Sequence, residues 1–186
     1  MTDPYADYRS GSTEPWTVEL LAALVRAKRP HVLIETGTFE ARTTVKLVEA
    51  METYGLEHGS MLYTLECDPE RFQAAQCRLG QLQFEMLSKP HSGMVGVTLL
   101  DGDALTFLRE RPAGFADFIF LDDDHTQAHV EAELTECLRI LRPGGIVCGH
   151  DVIGPFCLGE LFTARGGIVL DLPRLHAAGG LGIISR

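Results

Sequence analysis

Apolar residues in this chain fall into two kinds of run, and the two kinds alternate. HVLIE (31–35), MLYTLE (61–66), VGVTLL (95–100), FADFIFL (115–121) and IVCG (146–149) are short and nearly unbroken, as expected of strands covered on both faces. Between them the apolar positions take helical spacing. Val130, Leu134, Cys137, Leu138 and Leu141 form an i, i+4, i+7, i+8, i+11 stripe that predicts a helix over 126–141. Val18, Leu21, Ala22 and Val25 predict another, opened by Pro15-Trp16 and stopped at Arg29-Pro30. TGTFEARTT is a turn feeding a helix that reaches about Tyr54-Gly55, and DPERFQAAQCRLGQL and LTFLRER are two more helices. Residues 84–94 read as a loop, and RPGG (142–145) ends the fourth crossover helix before the fifth strand. GGIVLDL (166–172) and GLGIISR (180–186) are closing strands whose link is too short for a crossover, so they should pair antiparallel.

This alternation predicts an α/β fold. It has a doubly wound, mostly parallel seven-stranded sheet with a C-terminal antiparallel hairpin. The 186 residues suit a single domain over 1–186, with residues 1–30 an arm and helix and 31–186 the core. A hydrophobic fraction of 45% is enough for a substantial core. The net charge of −10 speaks against nucleic acid and anionic membranes as partners. The five cysteines show no CxxC spacing and read as reduced thiols, with Cys137 and Cys148 buried. The polar N-terminus is no signal peptide and no apolar run reaches membrane-span length, so a cytoplasmic protein is expected.

Ligands of such sheets bind beyond the carboxyl ends of the strands, where strand order switches. Every polar cluster here sits at such an end: Glu35, Glu66, Asp101 and Asp103, Asp122 to His125, and His150-Asp151. Gly37 opens a strand-to-helix turn that allows close backbone approach to a ligand. Phe39 and Ala41 stand where GxGxxG needs glycines, which weakens a nicotinamide dinucleotide site. Glu66 suits a ribose diol. Asp103 is either an adenine acceptor or the N-cap of the next helix. The run FIFLDDDH poses a question of its own, because three adjacent carboxylates repel one another unless something compensates them. Asp122, His150 and Asp151 can converge on a divalent cation, or Asp124 caps a helix and the other acids are solvated.

Together, ETGT with Thr43-Thr44, YTLECDP, GDA, FADFIFLDDDH and LRPGGIVCGHDV resemble the class I S-adenosylmethionine-dependent methyltransferases. Within that class they are similar to small-molecule O-methyltransferases of the catechol and caffeoyl-CoA kind. The resemblance spans about residues 16–186 and implies a Rossmann-like methyltransferase fold. It implies that Glu35, Gly37 and Thr38 line the methionine part of S-adenosylmethionine, with Glu66 at the ribose and Asp103 at the adenine. In the metal-dependent branch Asp122, His150 and Asp151 would hold Mg²⁺ or another divalent cation beside a small-molecule acceptor. An Asp-Asn pair is usual where His150-Asp151 stands, and a lysine base is usual at His125. Asp122 and His125 are the implied catalytic pair, with His125 as base or ligand. His129, one turn on, is expected to be exposed. Tyr5, Tyr8, Trp16, the 84–94 segment and residues 152–162 are candidate acceptor walls, with Trp16 and Phe156 also readable as plain packing. A pocket completed by a second subunit, as in a homodimer, is a further expectation. The alternatives are a metal-independent N-, C- or carboxyl-methyltransferase, a nicotinamide oxidoreductase or a non-catalytic cofactor-binding domain.

Overall fold

The computed structural model describes residues 12–54, 59–87 and 95–186. Its elements run α1 (Pro15–Lys28), β1 (Val32–Thr36), α2 (Arg42–Glu52), β2 (Met61–Glu66), α3 (Pro69–Leu87), β3 (Gly96–Asp101), α4 (Ala104–Glu110), β4 (Ala116–Leu121), α5 (Gln127–Ile140), β5 (Leu141–Ile153), α6 (Gly159–Thr163), β6 (Ile168–Leu170) and β7 (Gly179–Ser185). The seven strands form one sheet in the order β3-β2-β1-β4-β5-β7-β6. β1 to β5 pair in parallel, and β7 runs antiparallel to both β5 and β6. Order switches between β1 and β4, which pair directly through Leu33↔Phe118 to Thr36↔Leu121.

The unbroken apolar runs are explained by the two cores they serve. Successive side chains on a strand point to opposite faces. Phe118 and Phe120 therefore pack with Leu21, Leu47 and Met51 of α1 and α2. Ile119 and Leu121 pack with Leu108, Leu134 and Cys137 of α4 and α5. Phe118, Ile119 and Phe120 are all fully buried. Each contributes about 1.5–3 kcal/mol of transfer free energy, which seats β4 firmly beside the switch point. No helix among the described residues is long and apolar enough to cross a membrane.

α6 was not foreseen and β6 is confined to Ile168–Leu170, and two further boundaries differ from the sequence expectation. α3 continues through residues 84–87, which were expected to be loop, and 88–94 lie outside the described residues. RPGG does not separate α5 from a short strand; β5 starts at Leu141 and runs to Ile153. The reason is local. Gly144 takes a φ of 83°, and its N–H bonds the Arg186 carbonyl while Arg186 N–H bonds Gly145, so the turn residues are held against β7. His150 and Asp151 are thus inside β5 rather than after it.

Candidate functional site

Above the switch point lies a cleft of about 640 Å³, within the usual range for small-molecule sites. One wall carries Gly37, Glu66 and Asp103; the other carries Asp122, His125 and Asp151.

The first wall is tied together by its own acids. Glu66 is buried, and its two oxygens accept the backbone N–H groups of Phe39 (2.8 Å) and Asp68 (2.9 Å). It clasps the β1–α2 turn to the β2–α3 turn while still lining the cleft. Gly37 has a φ of +78°, and its missing side chain makes room for the chain itself: a Cβ would sit 2.2 Å from the Asp122 carbonyl oxygen. The turn therefore packs against the β4 exit as well as bordering the cleft. Phe39 and Ala41 hold left-handed φ values of 49° and 58° without being glycine. Asp103 caps α4, accepting from the Thr106 backbone (2.7 Å) and hydroxyl (2.6 Å), and these bonds hold its carboxyl below the usual range. It caps the helix and lines the cleft at once.

Glu35 and Thr38 are placed differently from the sequence expectation. Both are buried and neither lines the cleft. Oε2 of Glu35 accepts from Thr44 (2.5 Å) and Thr64 (2.7 Å), and the Thr38 hydroxyl meets Thr64 (2.5 Å). The pleat turns Glu35, and the β1–α2 turn turns Thr38, towards Thr64, and together they bind β1, β2 and α2. Burial pushes the Glu35 carboxyl up to about 7 despite the two threonines. Between about pH 4.5 and 7 the folded protein thus holds a proton the unfolded chain lacks, and stability falls as pH rises. The contribution is fully present below about 4.5 and is lost through about 7, a change of up to about 3 kcal/mol. Glu35→Gln should remove that slope, gaining about 1–3 kcal/mol on wild type at pH 8 relative to pH 4.5 in urea unfolding. Parallel curves for the two proteins would place the titration elsewhere.

The opposite wall answers the question of the three acids: each has its own partner. Asp122 Oδ1 faces His150 Nδ1 at 3.0 Å, and its Oδ2 accepts from Thr13 (2.6 Å). Asp123 Oδ2 lies 3.3 Å from His129 Nε2. Asp124 accepts the Thr126 backbone N–H at 2.8 Å in the turn before α5, whose N-cap is Thr126. His150 is buried with both ring nitrogens engaged, because its Nε2 lies 2.7 Å from Glu14 Oε2. Burial disfavours its charge, but Asp122, Glu14 and Asp151 outweigh that and raise its pKa well above the usual histidine value. Burial alone would raise Asp122, yet His150, His125 and Thr13 hold its carboxyl far below the usual range.

Asp151 reaches this group through a fault in the strand. Residues 150 and 151 of a regular strand would face opposite ways. Register slips between His150 and Ile153, and Asp151 takes a φ of 54°. Its Oδ1 then lies 3.3 Å from His150 Nδ1 and its Oδ2 3.3 Å from His125 Nε2. His125 sits over Phe156, with ring centroids 5.2 Å apart. Its Nε2 is buried and makes no aligned hydrogen bond, although Asp151 and Asp122 (3.6 Å) are within ion-pair reach.

Residues 34–152 match the family described as a methyltransferase domain, which covers more than half of the chain. The chain belongs to that methyltransferase family. The fold agrees. A putative O-methyltransferase from Klebsiella pneumoniae superposes with a TM-score of 0.70 at 23% identity, over 94% of this chain and 81% of that one. The O-methyltransferase from Bacillus cereus, solved with SAH, gives 0.71 at 18% identity over 97% and 86%. TomG from Streptomyces achromogenes, an O-methyltransferase of tomaymycin synthesis solved with SAM, gives 0.70 at 19% over 95% and 82%. No curated protein matches the chain.

In this methyltransferase domain the expected cation ligands Asp122, His150 and Asp151 do come together, and Asp122, His125 and His150 bring donor atoms within 4.8 Å of one another. As the side chains lie, His150 is the member that could not serve as a ligand. His150 has no nitrogen to offer while Glu14 and Asp122 hold both. Freeing one would strand a buried carboxylate. Within the chain, the group set to compensate these acids is His150, whose charged form Asp122, Glu14 and Asp151 favour.

Sequence reasoning missed Thr13 and Glu14, which arrive from before α1. An acid directly ahead of Pro15 was the available signal. It also missed Glu133, which lies beside the apolar stripe of α5, and it expected His129 to be exposed. His129 is instead half-buried against Asp123, with its Nε2 3.6 Å from Glu133. Trp16 donates its Nε1–H to the Pro173 carbonyl and stands away from the cleft, whereas Phe156 lines it. Tyr5 and Tyr8 lie outside the described residues.

Proposed function

We propose that this methyltransferase uses S-adenosylmethionine to methylate a hydroxyl of a small molecule. His125 serves as general base, and no divalent cation is used at the strand exits. The observation that carries the reading is the contrast between the two histidines. His150 is committed on both nitrogens, while His125 lines the cleft with only its Nε2 turned to Asp151 and Asp122.

The cleft residues suit the cofactor. Each Glu66 oxygen accepts one backbone N–H and keeps a lone pair for a ribose hydroxyl. Asp103 uses Oδ2 for its cap, leaving Oδ1 for the adenine amino group. An acidic lining favours a positively charged sulfonium ligand over an anionic one. Bound there, S-adenosylmethionine supplies the methyl group. His125 accepts the hydroxyl proton at Nδ1, the ring nitrogen away from the acids, while Nε2–H faces Asp151 and Asp122, which stabilise the imidazolium that results. Phe156 and the Gly37 turn exclude water and align the acceptor, which is where much of the rate arises.

Titration of S-adenosylhomocysteine into the protein tests the cofactor; a Kd of the order of micromolar is expected, and absence of binding by folded protein would remove the reading. His125→Gln should lower kcat by about 10²–10⁴-fold while leaving that affinity within about twofold. A wild-type rate in this variant would favour the alternative of an acceptor that needs no base, such as a carboxylate. Transfer by EDTA-treated enzyme should not rise on adding millimolar Mg²⁺. A Mg²⁺-dependent rate would restore cation assistance at the strand exits.

A further inference from the structure

We propose that Asp123, His129 and Glu133 form a site for a divalent transition cation of the zinc, cobalt or manganese kind, separate from the strand-exit cluster. His129 and Glu133 are four residues apart on α5 and share one face. Asp123 approaches that face from the β4–α5 connection. His129 Nε2 lies 3.3 Å from Asp123 Oδ2 and 3.6 Å from Glu133 Oε1, and one donor atom from each residue falls within 4.8 Å of the others. Bonds of about 2.1 Å put neighbouring donors about 3.0–3.4 Å apart, so only small side-chain movements would close the set on an ion.

Geometry alone would leave this an acidic cluster. Glu133 adds an independent reason. It is fully buried, and neither of its oxygens has a hydrogen-bond partner. It occupies a buried position between Val130 and Leu134, where an apolar side chain would ordinarily pack. A buried carboxyl group without a hydrogen bond is costly, and a close partner or a metal ion is how such groups persist. The side chain is aimed at His129 and Asp123, both of which line the cleft. One imidazole and two carboxylates suit a borderline cation better than Mg²⁺. The remaining coordination positions open towards the cleft, where water completes them. The ion would pin the first turns of α5 to the β4 exit, firming the wall that carries His125. A proton held between Glu133 and Asp123 is the competing way of satisfying the same group.

The test uses untagged, chelator-stripped full-length protein titrated with Co²⁺, read by visible d–d absorption, with Zn²⁺ displacing the signal. One tightly held equivalent is expected, together with a rise in Tm that depends on Co²⁺ concentration. Glu133→Gln and His129→Gln should each weaken Co²⁺ binding by about tenfold or more, whereas His125→Gln should leave it within about twofold. Glu133→Gln keeps the side-chain shape, and circular dichroism of each variant confirms that it is folded. Three results would each overturn the site: no Co²⁺ bound, binding indifferent to Glu133→Gln and His129→Gln, or binding lost in His125→Gln. The first leaves the shared proton as the explanation, and the last moves the ion to Asp122. None of these outcomes depends on S-adenosylhomocysteine binding, so this proposal fails or stands apart from the proposed function.

Discussion

His150→Gln is expected to destabilise the protein by about 3–5 kcal/mol and to abolish methyl transfer. A buried carboxylate and a half-buried one share this one imidazole. Glu14 is wholly inaccessible and lies 2.7 Å from Nε2, and Asp122 lies 3.0 Å from Nδ1. Glutamine carries no charge and cannot donate in both directions along the ring axis. Glu14 and Asp122 would then face each other without compensation, and one of them would have to take up a proton or turn to water. Either response loosens residues 12–14 from the strand exits, where Thr13 also holds Asp122 and accepts from Thr43. Urea unfolding at pH 7 measures the cost. A loss below about 1 kcal/mol would show that the imidazolium is not what stabilises these acids. Restored Mg²⁺-dependent transfer in the variant would show that a cation can replace it.

Gly37→Ala should cost at least about 3 kcal/mol and weaken cofactor binding with it. Two penalties add. Left-handed backbone at a φ of +78° costs an alanine about 1–2 kcal/mol. The added Cβ would also lie 2.2 Å from the Asp122 carbonyl oxygen, 2.6 Å from its carbon and 2.9 Å from Asp123 Cα. These are backbone atoms of β4's exit, and Asp122 N–H is itself bonded to the Thr36 carbonyl. Nothing flexible is available to yield, so β1 and β4 must separate where the cleft begins. Gly80→Ala is the matching control. Gly80 lies in α3 with no atom within 4 Å of its added Cβ, and the change should stabilise by about 0.5–1 kcal/mol. Equal effects at the two positions would mean that the Gly37 contact is not tight in solution.

Much of this was written in the order of residues. Unbroken apolar runs separated by helical stripes determined a doubly wound sheet, because a strand covered on both faces has no polar side to show. The position of each acid just past a run put Glu66, Asp103, Asp122 and His125 at one edge, and all four line the cleft. The reversed C-terminal pair followed from a link too short to cross the sheet. Chain order could not say which way a side chain turns once its strand ends. Glu35 and Glu66 both close apolar runs on the same face of the sheet, yet Glu35 lies level with Thr64, where threonines enclose it, and Glu66 lies two residues further out, at the cleft. Asp151 needed a strand fault and a positive φ to join His150, and nothing in HDV announces either. The counter-charge for Asp122 was sought as a metal because its protein partner was out of sight. His150 was visible, but Glu14, which fixes it as an imidazolium, lies 136 residues away. Local pattern determines which face an element buries. Only the packed chain decides which charges meet, because desolvation and pairing depend on neighbours that sequence separation does not reveal.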